Sequence, residues 1–178
     1  MQCCKALFDY DTGKVPTETS FEVSFYEIYN EHVYDLLAYF SDEENQDKSS
    51  LRVREHPRNG PYVENLTMHV ISNSDEVQRL IDRGIASRQV QGTTAETLAN
   101  PKSSRSHSVF TIYINQLIQG VSGAVTLQSK LHLIDLAGSE KIHNLPSRCY
   151  LSETKNINKS LCTLSIVIRR LGKWMLTL

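Results

Sequence analysis

Two runs, His107 to Leu117 and Leu127 to Leu136, carry apolar side chains on both faces, and a link containing Gly120 and Gly123 joins them. A strand with one polar side can face water, whereas a strand apolar on both sides must be covered twice. The pair therefore predicts antiparallel neighbours inside one sheet with helices over its faces, an α/β architecture. With 178 residues, 40% hydrophobic and 22% charged, the chain is one domain's worth of ordinary globular sequence. Collagen, coiled coil and general disorder are excluded, and neither an internal repeat nor a second domain is read.

The remaining segments fit around that sheet. Cys4, Leu7 and Phe8 fall at helical spacing and Asp11-Thr-Gly13 supplies a stop, so the start reads as the tail of a helix. Phe21 to Tyr29 alternates as a strand and Glu31 to Leu37 is expected to form a short helix after it. Ser41 to Ser50 is a polar loop with four acids and one Lys. Leu51 to Arg54 and Tyr62 to Glu64 are short strands flanking a rigid turn, His56-Pro-Arg-Asn-Gly-Pro61. A helix opens at Ser74 with a capping-box-like pattern and runs to about Arg88, its stripe being Val77, Leu80, Ile81 and Ile85. A second, starting near Ser152, aligns Ile157, Leu161, Leu164, Ile168 and Leu171.

The net charge of −1 points to neither nucleic acid nor membrane as a partner, but its distribution is uneven. Met1 to Ser50 holds three Lys and eleven acids, while Lys141 to Lys173 holds seven Lys or Arg and one acid, Glu153. A basic C-terminal third suits an acidic partner surface; a solvated helix face would look the same. Cys3 and Cys4 are adjacent and Cys149 and Cys162 distant, which draws neither a disulfide framework nor a metal site, so all four are expected to be reduced. The start has no signal-peptide layout, and no apolar run reaches the roughly 18 residues of a membrane helix. The expected setting is cytosolic.

The segment Leu131 to Glu140, LHLIDLAGSE, is an apolar strand ending in an acid followed by a glycine turn. In nucleotide hydrolases an Asp at that position can hold the water shell of Mg²⁺, and the glycine leaves an N–H free to approach a terminal phosphate. Taken alone, the element is also a common structural turn. Upstream, Asn100-Pro-Lys-Ser-Ser-Arg-Ser-His107 places three hydroxyls, an Arg and a His before the neighbouring strand. Hydroxyls can ligate Mg²⁺ or phosphate, and Arg105 could pair with Glu140. A Ser-rich loop capping a strand is the structural alternative. Two such loops would meet at one edge of the sheet, where α/β folds place ligands.

These residues resemble a family. NxxSSRSH (Asn100 to His107) is similar to switch I of kinesin motor domains, DLAGSE (Asp135 to Glu140) to their switch II, and NINKSL (Asn156 to Leu161) to the start of their microtubule-facing helix. Phe25-Tyr-Glu-Ile-Tyr-Asn-Glu31 with Tyr34-Asp-Leu-Leu37 resembles the kinesin strand and helix at that place, and Leu51 to Leu66 is most similar to the third kinesin class, the plus-end transport motors. The resemblance covers about Leu7 to Ile168. It implies a P-loop NTPase-type motor fold, an ATP-driven microtubule motor in complete form, with ATP and Mg²⁺ as ligands, microtubules as partner, and a place in the cytoplasm on the cytoskeleton. By similarity Asn100, Ser103 and Ser104 would bind nucleotide and Asp135 the Mg²⁺ water shell, with Ser104 also at the metal. The Gly138 N–H would report the γ-phosphate, and Arg105 and Glu140 would form a salt bridge closing the pocket. Arg52, Arg54, Arg58, Lys155 and Lys159 would face acidic tubulin.

Departures from the family accompany the match. No G-x-x-x-x-G-K-S/T phosphate cradle occurs: the lone Gly-Lys pair, Gly13-Lys14, is followed by Val15 and has Phe8 where the first Gly belongs. The expectation is a motor domain without its N-terminal third and C-terminal end, inactive as an ATPase alone, with residues 169–178 a divergent tail. The loop Lys141 to Lys155 has no glycine, and Lys141 stands where the family has Arg. The competing readings are a non-catalytic microtubule-binding product and a small G-protein-like switch, which would leave SSRSH and NINKSL unexplained.

Overall fold

The computed structural model describes residues 17–38, 50–92, 104–120, 123–139 and 148–175. The long strands form as expected and set the frame. β1 (Thr17–Tyr29) pairs antiparallel along nearly its whole length with β6 (His107–Gly120), and β6 pairs antiparallel with β7 (Gly123–Asp135), from Ser108 opposite Asp135 to Gly120 opposite Gly123. β2 (His32–Asp35) and β5 (His69–Ile71) both lie against β1, giving a five-stranded sheet. β3 (Val53–His56) and β4 (Gly60–Val63) make a separate hairpin, joined to β2 through a bridge between Leu51 and Val33. Among the described residues β6 is interior as expected, whereas β7 is an outermost strand of the sheet and is exposed along almost its entire length, Val125 and Ile134 being 62% and 56% accessible. Apolarity on both faces shows that a strand can be covered, not that it is.

Glu31 to Leu37 does not form a helix. Asn30 and Glu31 take left-handed φ values of 51° and 68°, and Tyr29 pairs with His32, so the two form the tight loop of a hairpin leading into β2. Loops of this kind need positive φ at both positions, which Asn tolerates well, and Val33 and Asp35 then alternate inward with period two. The helical look of the segment comes from Leu36 and Leu37, which are buried just after the strand. Asp35 closes the corner, its Oδ1 accepting from Leu37 N at 2.8 Å and its Oδ2 from Thr67 N at 2.7 Å.

α1 (Ser74–Gly92) is capped one residue earlier than its sequence suggests. Asn73 Oδ1 accepts from the N–H groups of Asp75 and Glu76, while Glu76 Oε2 accepts from Ser72 N. Glu76 thus stands three residues after an Asn cap, the capping-box place, with its carboxylate taking the N–H just before the cap. The helix's inward stripe is Val77, Leu80, Ile81, Gly84 and Arg88; Ile85 is 44% exposed and lies off it. Val23 and Phe25 of β1 and Phe110 and Ile112 of β6 form the sheet's half of this core, the two phenylalanine rings meeting edge to face at 5.4 Å.

α2 (Arg148–Met175) starts before Ser152 and extends past Arg169. Thr154 and Ile157 are buried, whereas Ile168 and Leu171, on the expected apolar stripe, are 60% and 58% exposed. Among the described cysteines, Cys162 is an exposed free thiol. The expected helix at Cys4 to Phe8, nearly all of the Ser41 to Ser50 loop, and the pairing state of Cys3 and Cys4 lie outside the described residues. No helix among the described residues is long and apolar enough to cross a membrane.

At Gly84 α1 lies close against the sheet: a Cβ there would overlap the Phe25 ring. Gly172 in α2 has open space around its Cα. Gly84→Ala is therefore expected to cost about 1–3 kcal/mol through overpacking, while Gly172→Ala gains up to about 1 kcal/mol from helix propensity. Thermal unfolding of the two variants checks this, and equal behaviour would contradict the packing described.

Candidate functional site

Strand alternation brings the charged residues together. Glu27 follows Val23 and Phe25 on the α1 side of β1, and Arg88 follows Val77, Ile81 and Gly84 on the inward stripe of α1. Glu27 is fully buried and Arg88 is 9% exposed. The Arg88 Nε–H donates to Glu27 Oε2 at 3.2 Å, Nη2 donates to both the carbonyl and Oγ of Ser106 at 3.1 Å, and Nη1 donates to Asp135 Oδ2 at 3.2 Å. Ser106 Oγ donates to the same Glu27 oxygen at 3.2 Å. One guanidinium thus ties β1 to the SSRSH segment and to the end of β7. Neither Arg88 nor Glu27 was singled out from sequence. The available signal was phase: a cation on an apolar helical stripe and an acid on the apolar side of a strand each require a partner of opposite sign.

The two loops expected to meet do so. The Gly138 N–H donates to the carbonyl of Ser104 at 2.8 Å, joining the SSRSH and DLAGSE segments through their backbones. Asp135 stands at the end of β7 with its side chain 70% exposed while contacting Arg88. Arg105 is 11% exposed and donates from Nη1 to Glu153 Oε2 of α2 at 3.2 Å. Asn100, Ser103 and Glu140 lie outside the described residues, as therefore does the expected Arg105–Glu140 pair.

His107 points to the other face of the sheet from Ser106. Its Nδ1 accepts from the Ala137 N–H at 3.0 Å, its Nε2 lies 2.7 Å from Ser160 Oγ of α2, and Ser160 Oγ donates to the carbonyl of Ile157 at 2.7 Å. Burial, and then the nearby Arg88 charge, lower the His107 pKa below the ordinary histidine value; Asp135 opposes them.

The expected tubulin-facing residues divide into two groups. Arg52, Arg54 and Arg58 are exposed on or beside the β3–β4 hairpin, with Arg54 paired to Glu64 at 3.3 Å. Lys155 is exposed on α2, whereas Lys159 is paired to Glu31 at 2.8 Å. Asn156 Nδ2 likewise donates to Asn30 Oδ1 at 2.7 Å, so the left-handed β1–β2 turn seats the start of α2.

Losing Arg88 would leave Glu27 buried beside no guanidinium. Arg88→Met is expected to destabilise by about 3–5 kcal/mol, as loss of one member of a buried ion pair does, whereas Arg54→Ala, in an exposed pair, changes stability by about 0–1 kcal/mol. Urea unfolding of both tests the contrast. Because the folded pKa of His107 is depressed, the unfolded chain binds more protons on acidification. Its contribution is complete above the ordinary histidine value and is lost as pH falls through the folded one. His107→Asn should therefore flatten the loss of stability between neutral and mildly acidic pH.

The kinesin motor domain family matches residues 1–175. Among curated relatives, mouse StAR-related lipid transfer protein 9 is 46% identical over 175 residues, covering 96% of this chain and 4% of that one. Human kinesin-like protein KIF14 is 43% identical over 179 residues, covering 96% and 10%. The solved structure of a KIF14 segment with ADP, in complex with a microtubule, superposes with a TM-score of 0.78 at 39% identity, covering 97% of this chain and 48% of that one. The chain thus spans a small part of the curated relatives and about half of the solved motor. Two loops joined by Gly138 and Ser104, a helix seated on the β1–β2 turn and a match along nearly the whole length lead to one assignment: the chain belongs to the kinesin motor domain family.

Proposed function

We propose that these residues are the phosphate-sensing and microtubule-facing part of an ATP-driven microtubule motor, acting at the cytoskeleton. The observation carrying this reading is the backbone bond between Gly138 and Ser104, at the sheet end where Asp135 emerges. It joins the Gly138 peptide to Ser104 beside Asp135, and a peptide donor, a hydroxyl and a carboxylate are groups that recognise a terminal phosphate and its metal. Solved KIF14 motors carrying AMP-PNP or ADP, each in complex with a microtubule, support the nucleotide and the partner.

The residues present fit a water-mediated Mg²⁺. Asp135 is largely exposed, and no cluster of three or more His, Cys, Asp or Glu side chains among the described residues would hold the ion directly. An ion of this kind keeps several waters and binds through one or two carboxylates plus phosphate. Bound there, it would neutralise charge on the transferring phosphoryl group. In this reading Asn100, Ser103 and Ser104 line the nucleotide, Asp135 holds the ion's water shell, and Gly138 reads the phosphate. Arg105 and Glu140 close the pocket. The 178 residues contain no phosphate cradle, so they supply sensing and coupling while the backbone donors and phosphate Lys are not among them. Residues 1–168 are proposed as the motor portion and 169–178 as a tail.

On the microtubule side, Lys155 carries an exposed charge, whereas the charge of Lys159 is partly answered by Glu31. Co-sedimentation of the 178-residue chain with microtubules is expected to be salt-sensitive, with Lys155→Ala weakening binding about two- to five-fold and Lys159→Ala less, the range for single partly screened charges. Phosphate release in the same assay should stay at background. Microtubule-stimulated release lost in Glu140→Ala would show a competent enzyme, and salt-insensitive or absent binding would remove the proposed face.

A further inference from the structure

We propose that His107 is a positioning residue: its imidazole, held as the Nε2–H tautomer, couples the peptide turn at Ala137 and Gly138 to Ser160 of α2. The inference deepens the motor reading and rests on it for its consequence, because it joins the proposed phosphate-sensing turn to the proposed microtubule-facing helix.

The hydrogen bonds run in one direction. A backbone N–H can only donate, so the Ala137 N–H, 3.0 Å from Nδ1, requires that nitrogen to be unprotonated. The ring proton of neutral His107 then sits on Nε2 and is donated to Ser160 Oγ at 2.7 Å. Ser160 completes the run by donating its own proton to the Ile157 carbonyl at 2.7 Å. Every donor has an acceptor, and the opposite tautomer would set two donors against each other at Ala137. The relay lies in a protected place: His107 is 8% exposed, Ala137 is 5% exposed and Ile157 is 4% exposed. Hydrogen bonds chained in this way polarise one another, so a change at one end is felt at the other.

The position along the chain gives the relay its use. Ala137 immediately precedes Gly138, whose N–H engages Ser104. A displacement of the turn by a hydrogen bond's length must either break the Ala137–His107 bond or carry the ring with it, and the ring is bonded to the helix. The path from turn to helix is thus two hydrogen bonds through one imidazole, with a third inside the helix. It does not pass through residues 141–147.

The 178-residue chain, labelled with ¹⁵N, tests this by NMR without nucleotide or tubulin. The His107 signals, identified by their loss in His107→Asn, are expected to show an unprotonated Nδ1 and a protonated Nε2. Ser160→Ala should then shift the Ala137 amide through the ring. In the His107→Asn background, where the side-chain oxygen still accepts from Ala137 but nothing reaches Ser160, the same Ser160→Ala change should leave that amide in place. A protonated Nδ1, or an Ala137 amide indifferent to Ser160→Ala with His107 intact, overturns the inference. If His107→Asn fails to fold, the signals are assigned through the bond network and the Ser160→Ala comparison decides alone. Failure of the motor reading in sedimentation leaves these signals unchanged, and a wrong tautomer leaves sedimentation unchanged, so the two can be told apart.

Discussion

A guanidinium cannot discard its charge at any accessible pH, so burying Arg88 obliges the fold to answer it. Glu27 provides the opposite charge from the neighbouring strand, and Ser106 and Asp135 take the remaining edges of the fork. The geometry of that answer sets much else. β1 and α1 are held in one register, the SSRSH segment is drawn against both, and the last residue of β7 is fixed beside them. Gly84, one turn before Arg88, lets the helix come close enough for the reach by leaving space for the Phe25 ring. Charge satisfaction and close packing are here the same constraint, because neither pair could form with the helix further out.

The period of two along a strand distributes consecutive residues between the layers. Ser106 joins the Arg88 network on the α1 side, and His107 reaches α2 on the other. Arg105, before them, is also committed to α2 through Glu153. A single tripeptide therefore touches both helices and, through Ala137, the turn after β7. Such a segment cannot move without registering the change on both sides of the sheet.

The architecture was readable where patterns were long. The two strands apolar on both faces formed where expected, the proline-containing hairpin formed with its strands running about two residues into the expected turn, and the three motifs identified the family. Short segments misled. Leu36 and Leu37 gave Glu31 to Leu37 a helical phase, while the left-handed pair Asn30-Glu31 decided for a hairpin, and turn geometry is not encoded in apolar spacing. That β7 is the strand left outermost among the described residues was not legible from its own composition, which tells what a strand tolerates, not which neighbours it has. Arg88 and Glu27 were overlooked because each looks like a surface charge when read alone. Their meaning lies in a pairing 61 residues apart, visible only once each is seen to occupy an apolar phase.

The Gly138–Ser104 bond has a logical character as well as a structural one. A peptide N–H offers one hydrogen, and here that hydrogen is already engaged by the carbonyl of the opposing loop. Any other acceptor at Gly138 has to share that hydrogen with Ser104 or displace it. The exchange swaps one hydrogen bond for another, and the free energy separating the two arrangements is a difference, on the order of 1 kcal/mol for neutral partners and larger when the newcomer is charged. Two arrangements that differ by one exchanged hydrogen bond lie close in free energy, because neither leaves the donor unsatisfied.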